Sequence, residues 1–119
     1  MKSKGRERIR AILAEYVSEI KAIYAEKLAK VILYGSYARE DDTPESDIDI
    51  MILVDGGDAE AREQNDALAA MTYEFDMKHD VYVESSARSL RHFNYWRKAY
   101  PFYKNVSREG LVLYDKLDK

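Results

Sequence analysis

The chain has 119 residues, 46% hydrophobic and 34% charged, with a formal net charge of −3 and no cysteine. That length suits one domain spanning residues 1–119, and the lack of cysteine excludes disulfides and thiolate metal sites. The acidic balance argues against stable DNA binding, and no apolar run approaches the roughly 20 residues of a membrane-spanning helix.

The first residues, Met1-Lys2-Ser3-Lys4-Gly5-Arg6, lead into a charged amphipathic stretch rather than an apolar signal core, so the expected address is cytoplasmic. Ile9, Ile12, Leu13, Tyr16, Val17, Ile20, Ile23, Tyr24 and Leu28 recur at helical spacing, which predicts one helix over residues 5–28. Val31-Ile32-Leu33-Tyr34 is a short apolar run of the kind that forms a buried strand. It ends at Gly35-Ser36, with Tyr37-Ala38-Arg39 opening a helical turn near Ser36 as N-cap. Residues 40–46 are polar, contain Pro44 and read as loop.

Residues 47–54 are rich in β-branched side chains and predict a second strand, followed by a turn at Asp55-Gly56-Gly57-Asp58. Asp58 is placed to cap a helix over residues 59–77, whose apolar face carries Ala61, Leu68, Met71 and Phe75. Alternation resumes from His79 to Glu84, predicting a third strand that contains Asp80. Residues 87–106 read as helix interrupted at Pro101, and Leu111-Val112-Leu113-Tyr114 as a closing strand. This order predicts an α/β or α+β fold with a mixed central sheet and flanking helices.

Three features carry chemistry. Gly35-Ser36 follows a strand, where glycine allows close backbone approach and free N–H groups at a helix start favour an anion; a plain strand-to-helix turn has the same composition. Asp47 and Asp49 are two apart in a strand, so both carboxylates share one face while Ile48, Ile50 and Ile52 take the other. Such a pair either binds a hard divalent cation together with substrate phosphate or is a solvated edge that discourages aggregation. Asp80, if the strands align, adds a third acid able to ligate metal or take the acceptor's proton.

Charge is also unevenly distributed. Residues 40–66 hold eleven carboxylates against the single Arg62, whereas residues 86–108 hold Arg88, Arg91, Arg97, Lys98, Lys104 and Arg108 and no carboxylate. The two segments form either a metal site beside an anion-binding wall or two oppositely charged solvated faces. The basic segment also carries Phe93, Tyr95, Trp96, Tyr100, Phe102 and Tyr103, which suit a core, a protein interface or base stacking. His79 and His92 lack a metal-ligand spacing.

Gly35-Ser36, ten intervening residues, Asp47-x-Asp49 and the later Asp80 together resemble the signature of the DNA polymerase β-like nucleotidyltransferase superfamily. The stretches Ile32-Leu33-Tyr34-Gly35-Ser36-Tyr37-Ala38-Arg39 and Ser46-Asp47-Ile48-Asp49-Ile50 look like those of its minimal branch, and the likeness continues to Pro101–Gly110. The resemblance implies that Gly35 and Ser36 hold the β/γ-phosphates of ATP, with Arg39 near phosphate. It implies that Asp47 and Asp49 bind two Mg²⁺ ions and that Asp80 completes the site of the ion that activates the acceptor. Arg39 is equally suited to a salt bridge with Asp41 or Glu45. Relatives usually have glycine where this chain has Glu40, which either repels triphosphate or sits on an unexceptional loop backbone.

Within the minimal branch the arrangement is similar to antitoxins that act beside a HEPN-domain ribonuclease toxin. That resemblance implies adenylylation of a tyrosine on the toxin. Competing readings are a small-molecule nucleotidyltransferase of the aminoglycoside-modifying kind and a non-catalytic docking module. The sequence leaves the oligomeric state open.

Overall fold

In the computed structural model, residues 2–43 and 46–117 are described. Helix α1 (Lys2–Tyr24) passes through a 3₁₀ turn (Ala25–Lys27) into strand β1 (Leu28–Tyr34). A single helical turn α2 (Ser36–Arg39) precedes β2 (Ile48–Val54), then α3 (Asp58–Arg62), α4 (Asn65–His79) and β3 (Val83–Ser89). Helices α5 (Leu90–Trp96) and α6 (Pro101–Glu109) lead to β4 (Leu111–Asp115).

The four strands form one mixed sheet in the order β3-β2-β1-β4. β1 runs antiparallel to both β2 and β4, whereas β2 and β3 are parallel. A parallel pair needs a crossover, and α3 and α4 supply it. Both faces of the central strands are covered, which is why β1 and β2 read as continuous apolar runs. Val31, Leu33, Ile48, Ile50 and Ile52 pack against Ile12, Tyr16 and Ile20 of α1 and Leu68 and Phe75 of α4. Ile32, Met51 and Leu53 pack on the opposite face against Phe93 of α5 and Tyr103 and Val106 of α6.

The i, i+3, i+4 pattern in α1 does what its period predicts: Ile12, Leu13, Tyr16, Ile20 and Tyr24 are all buried. The Tyr16 hydroxyl lies 2.6 Å from Thr72 Oγ1 and donates to Ser85 Oγ at 2.9 Å, tying α1 to α4 and β3. Burial pushes the Tyr16 phenol above its ordinary pKa. Proline at the first position of α6 begins that helix rather than breaking one, since its missing N–H has no partner to lose there.

The third strand differs from expectation. His79 closes α4, and Asp80 follows in a left-handed conformation with φ 53°, its N–H bonded to the Asp76 carbonyl. The strand begins only at Val83 and continues to Ser89, through residues expected to be helical. Seven residues pair in unbroken register with β2, from Ile48 opposite Val83 to Val54 opposite Ser89. Its core-facing positions after Val83 are Ser85, bonded to Tyr16 of α1, and Ala87, both small residues, so the stretch lacks an apolar alternation.

Candidate active site

The site forms where β1 ends and β2 and β3 begin, side by side. Asp49 is the register partner of Tyr34 on β1 and of Glu84 on β3. Residues paired across a sheet share a face, so Tyr34, Asp49 and Glu84 form one transverse row. Asp49 alternates with the buried Ile48 and Ile50, which turns its carboxylate to the face carrying α5 and α6.

Gly35 brings the bend after β1 against this row. Its φ of 78° and ψ of −155° belong to a region that is essentially glycine's alone. A Cβ there would fall 2.2 Å from Asp49 Oδ2. The carbonyl of Gly35 accepts from the N–H groups of Ala38 and Arg39, both at 3.1 Å, which winds α2 and leaves its first N–H groups outside the turn's own bonding. Gly35 rather than Ser36 occupies the N-cap position, and Ser36 is the first helical residue.

The acids act on one another. Desolvation raises the Asp49 pKa, and the neighbouring Asp47 and Glu84 raise it further, against a lowering by Arg39. Burial likewise pushes the Tyr34 phenol up, with Asp49 adding to it. Among the described residues, no three His, Cys, Asp or Glu side chains stand as a group ready to enclose a metal ion. The donor set nonetheless suits a hard cation: carboxylate oxygens whose mutual repulsion a cation would relieve, leaving coordination positions for substrate phosphates.

Asp80 does not join this group. It sits in the α4 cap, three residues before β3 begins, and does not figure among the charges that act on Asp49. Glu84 occupies the position that a late-starting strand places opposite Asp49. The signal available in the sequence was Val83, a β-branched residue able to pair with Ile48, after an Asp that tolerates the left-handed end of a helix.

A model of the nucleotidyltransferase domain matches residues 11–107. The chain belongs to the nucleotidyltransferase family. A Methanocaldococcus jannaschii protein provisionally named a protein adenylyltransferase is 35% identical over 102 residues, covering 86% of this chain and 94% of its own length. A second of the same provisional name and organism is 33% identical over 72 residues, 60% of this chain and 71% of its own length. Among solved structures, a toxin–antitoxin crystallised with AMP-PNP aligns with a TM-score of 0.54 at 22% identity, over 87% of this chain and 73% of that one. A mutant of the MntA–HpeT toxin–antitoxin aligns with a TM-score of 0.51 at 17% identity and the same two coverages. These two likenesses show the nucleotidyltransferase fold.

In this nucleotidyltransferase, Arg39 Nε donates to Asp41 Oδ2 at 3.1 Å and its Nη1 lies 3.6 Å from Glu109 Oε1 of α6. Its guanidinium is thus already paired, and Asp41 holds its pKa above the ordinary value. Glu45 lies outside the described residues. Glu40 is left-handed, with φ 64°. The backbone at this position is therefore one that favours glycine, not an unexceptional loop angle.

The basic segment divides. Phe93 and Tyr103 are buried, whereas Tyr95, Tyr100 and Phe102 are exposed. Trp96 stacks on Tyr100 with ring centroids 4.9 Å apart, and Phe102 meets Tyr34 edge-on at 5.5 Å. His79 pairs with Glu15 at 2.9 Å, and His92 Nδ1 lies 3.2 Å from the Tyr103 hydroxyl, so both imidazoles serve packing. No helix among the described residues is long and apolar enough to cross a membrane.

Proposed function

We propose that this nucleotidyltransferase moves AMP from ATP to a hydroxyl of a protein partner, a tyrosine of a HEPN-domain toxin, and thereby acts as an antitoxin in the cytoplasm. The observation that carries the reading is the contact of the Gly35 bend with Asp49, flanked by Asp47 and Glu84: the backbone N–H groups that open α2 lie beside clustered acids. The provisional name of relatives at 35% and 33% identity favours a protein acceptor. The toxin–antitoxin titles of the two solved structures favour a toxin as that acceptor.

In this reading the N–H groups at Gly35-Ser36 and the Ser36 hydroxyl bind the β/γ-phosphates. Asp47 and Asp49, with Glu84, would hold two Mg²⁺ ions, which supply Lewis-acid polarisation of phosphate oxygens. Glu84 takes the proton of the acceptor hydroxyl. The hydroxyl oxygen bonds to the α-phosphorus, the bond from that phosphorus to the bridging oxygen breaks, and pyrophosphate leaves. Tyr34, opposite Asp49 across the ladder, forms one wall of the site.

Intact-mass measurement of a co-encoded helical protein after incubation with this chain, ATP and Mg²⁺ tests the reading. One or more adenylate units should appear, and should vanish with Asp47→Asn/Asp49→Asn. Neutralisation of the partner by that double variant, with no adduct formed, would replace the reading with one in which docking alone is the function.

A further inference from the structure

β3 is one edge of the sheet, and it differs from the other edge in being unprotected. β4 has five residues and a register shift against β1, whereas β3 has seven residues without one. Sheet edges are normally blunted by short strands, bulges or proline, because their unpaired backbone groups recruit other strands. Ile48 N–H donates to the Tyr82 carbonyl at 2.9 Å, so Tyr82 and, by alternation, Glu84, Ser86 and Arg88 turn their backbone groups toward β2. Val83, Ser85 and Ala87 turn theirs outward. The Val83 N–H is taken by Asp76 Oδ1 at 3.1 Å. Among the described residues, no loop or side chain supplies a partner to the outward groups of Ser85 or Ala87.

A groove of about 860 Å³ follows this edge, lined by side chains from both faces of β3 and by α4. Its rim is apolar and open to solvent: Tyr73 and Met77 on α4 and Tyr82 before the strand are 68%, 71% and 61% exposed. Asp76, Asp80 and Glu84 line it against the one cation Arg88. Glu84 belongs both to this groove and to the row that contains Asp49.

We propose that the β3 edge takes up an extended segment of the acceptor protein as an added strand, presenting a tyrosine hydroxyl to Glu84. The inference rests on the proposed adenylyl transfer and names how its acceptor is held. Main-chain bonds to Ser85 and Ala87 give such a strand its affinity, and Tyr73, Met77 and Tyr82 give its side chains an apolar bed. Strands lie about 4.8 Å apart, so a residue beside Glu84 on the added strand is roughly 10 Å from the β2 backbone at Asp49. Of the three hydroxyl-bearing side chains, tyrosine carries its oxygen farthest from the backbone and so brings it nearest the acids across that gap. The acidic lining selects segments with a cation near the tyrosine.

The test uses the whole chain and a short synthetic peptide with the order lysine, threonine, valine, tyrosine, valine, threonine, lysine. A control peptide carries N-methyl groups on the tyrosine and both valines. Amide hydrogen exchange of Ser85 and Ala87 is followed by NMR, and AMP transfer is followed by mass in parallel samples with ATP and Mg²⁺. The parent peptide should slow both amides by about tenfold or more, as two new hydrogen bonds would, and the methylated peptide should not. Ala87→Pro, which removes an outward N–H without touching the β2 ladder, should weaken peptide binding about as much, while Ala87→Ser keeps it. Unchanged exchange under saturating parent peptide overturns the inference. So does protection that appears without peptide and grows with protein concentration, which would assign the edge to a second copy of this chain. Protection without AMP transfer leaves the docking edge standing and sinks the adenylylation reading; transfer with unprotected amides does the reverse.

Discussion

Replacing Gly35 by alanine separates two costs that the structure places at one atom. The backbone cost comes from φ 78° and ψ −155°, a conformation that charges a residue with a Cβ about 1–3 kcal/mol. The second cost is steric, because the new Cβ would lie 2.2 Å from Asp49 Oδ2 and 3.1 Å from its carboxyl carbon, so the carboxylate must swing away. Gly35→Ala should therefore lower stability by at least about 1–3 kcal/mol, or several degrees in Tm for a chain of this size. It should also abolish AMP transfer. Chemical denaturation of Gly35→Ala, Asp49→Ala and the double variant forms a thermodynamic cycle. With the carboxylate removed, the Gly35→Ala cost should shrink to its backbone part, and the difference measures the clash. Equal costs in the two backgrounds, or a Gly35→Ala variant that keeps transfer activity, would refute the placement of Asp49 against the bend.

Other consequences concern the neighbouring acids. Asp49 has its folded pKa raised, so its ionisation opposes folding; the penalty is present near pH 7 and disappears as pH falls below the ordinary carboxylate range near about pH 4. Asp49→Asn should accordingly raise the Tm of the metal-free chain at neutral pH, with the gain vanishing in acid, and should cancel any Mg²⁺-induced rise in Tm; thermal melts in chelator and in Mg²⁺ check both. Glu84→Gln should cut AMP transfer by about a hundredfold or more, while Asp80→Asn should leave it within about twofold, measured as initial rates on the same acceptor. Glu40→Gly should stabilise the chain by about 1 kcal/mol by relieving a left-handed residue, read from urea midpoints; a loss of stability would mean that the Glu40 side chain contributes contacts that outweigh its backbone.

Much of this architecture could be read from the residues. The period of α1 and the apolar runs of β1 and β2 follow from burial on one stripe or on both faces, and those patterns are strong. β3 is hard to place from its residues because the core-facing Ser85 and Ala87 are small and give no apolar alternation, Ser85 meeting α1 through its bond to Tyr16. Its starting point carries the third acid with it: a strand starting at His79 puts Asp80 in the sheet, while one starting at Val83 puts Glu84 opposite Asp49. The pair Asp47 and Asp49 and the Gly35 bend needed only local spacing, which a sequence displays. The pairing of Arg39 with Glu109 joins residues remote in the chain, and nothing in either segment announces it.

The row Tyr34–Asp49–Glu84 is spaced by the ladder of three adjoining strands and not by a loop. The spacing of Asp49 and Glu84 is therefore as durable as the sheet, since hydrogen-bonded strands move together. Heating should then preserve this spacing up to the transition that melts the β-structure, whereas Asp47 and the Gly35 bend, which lie outside the ladder, set how early catalysis is lost.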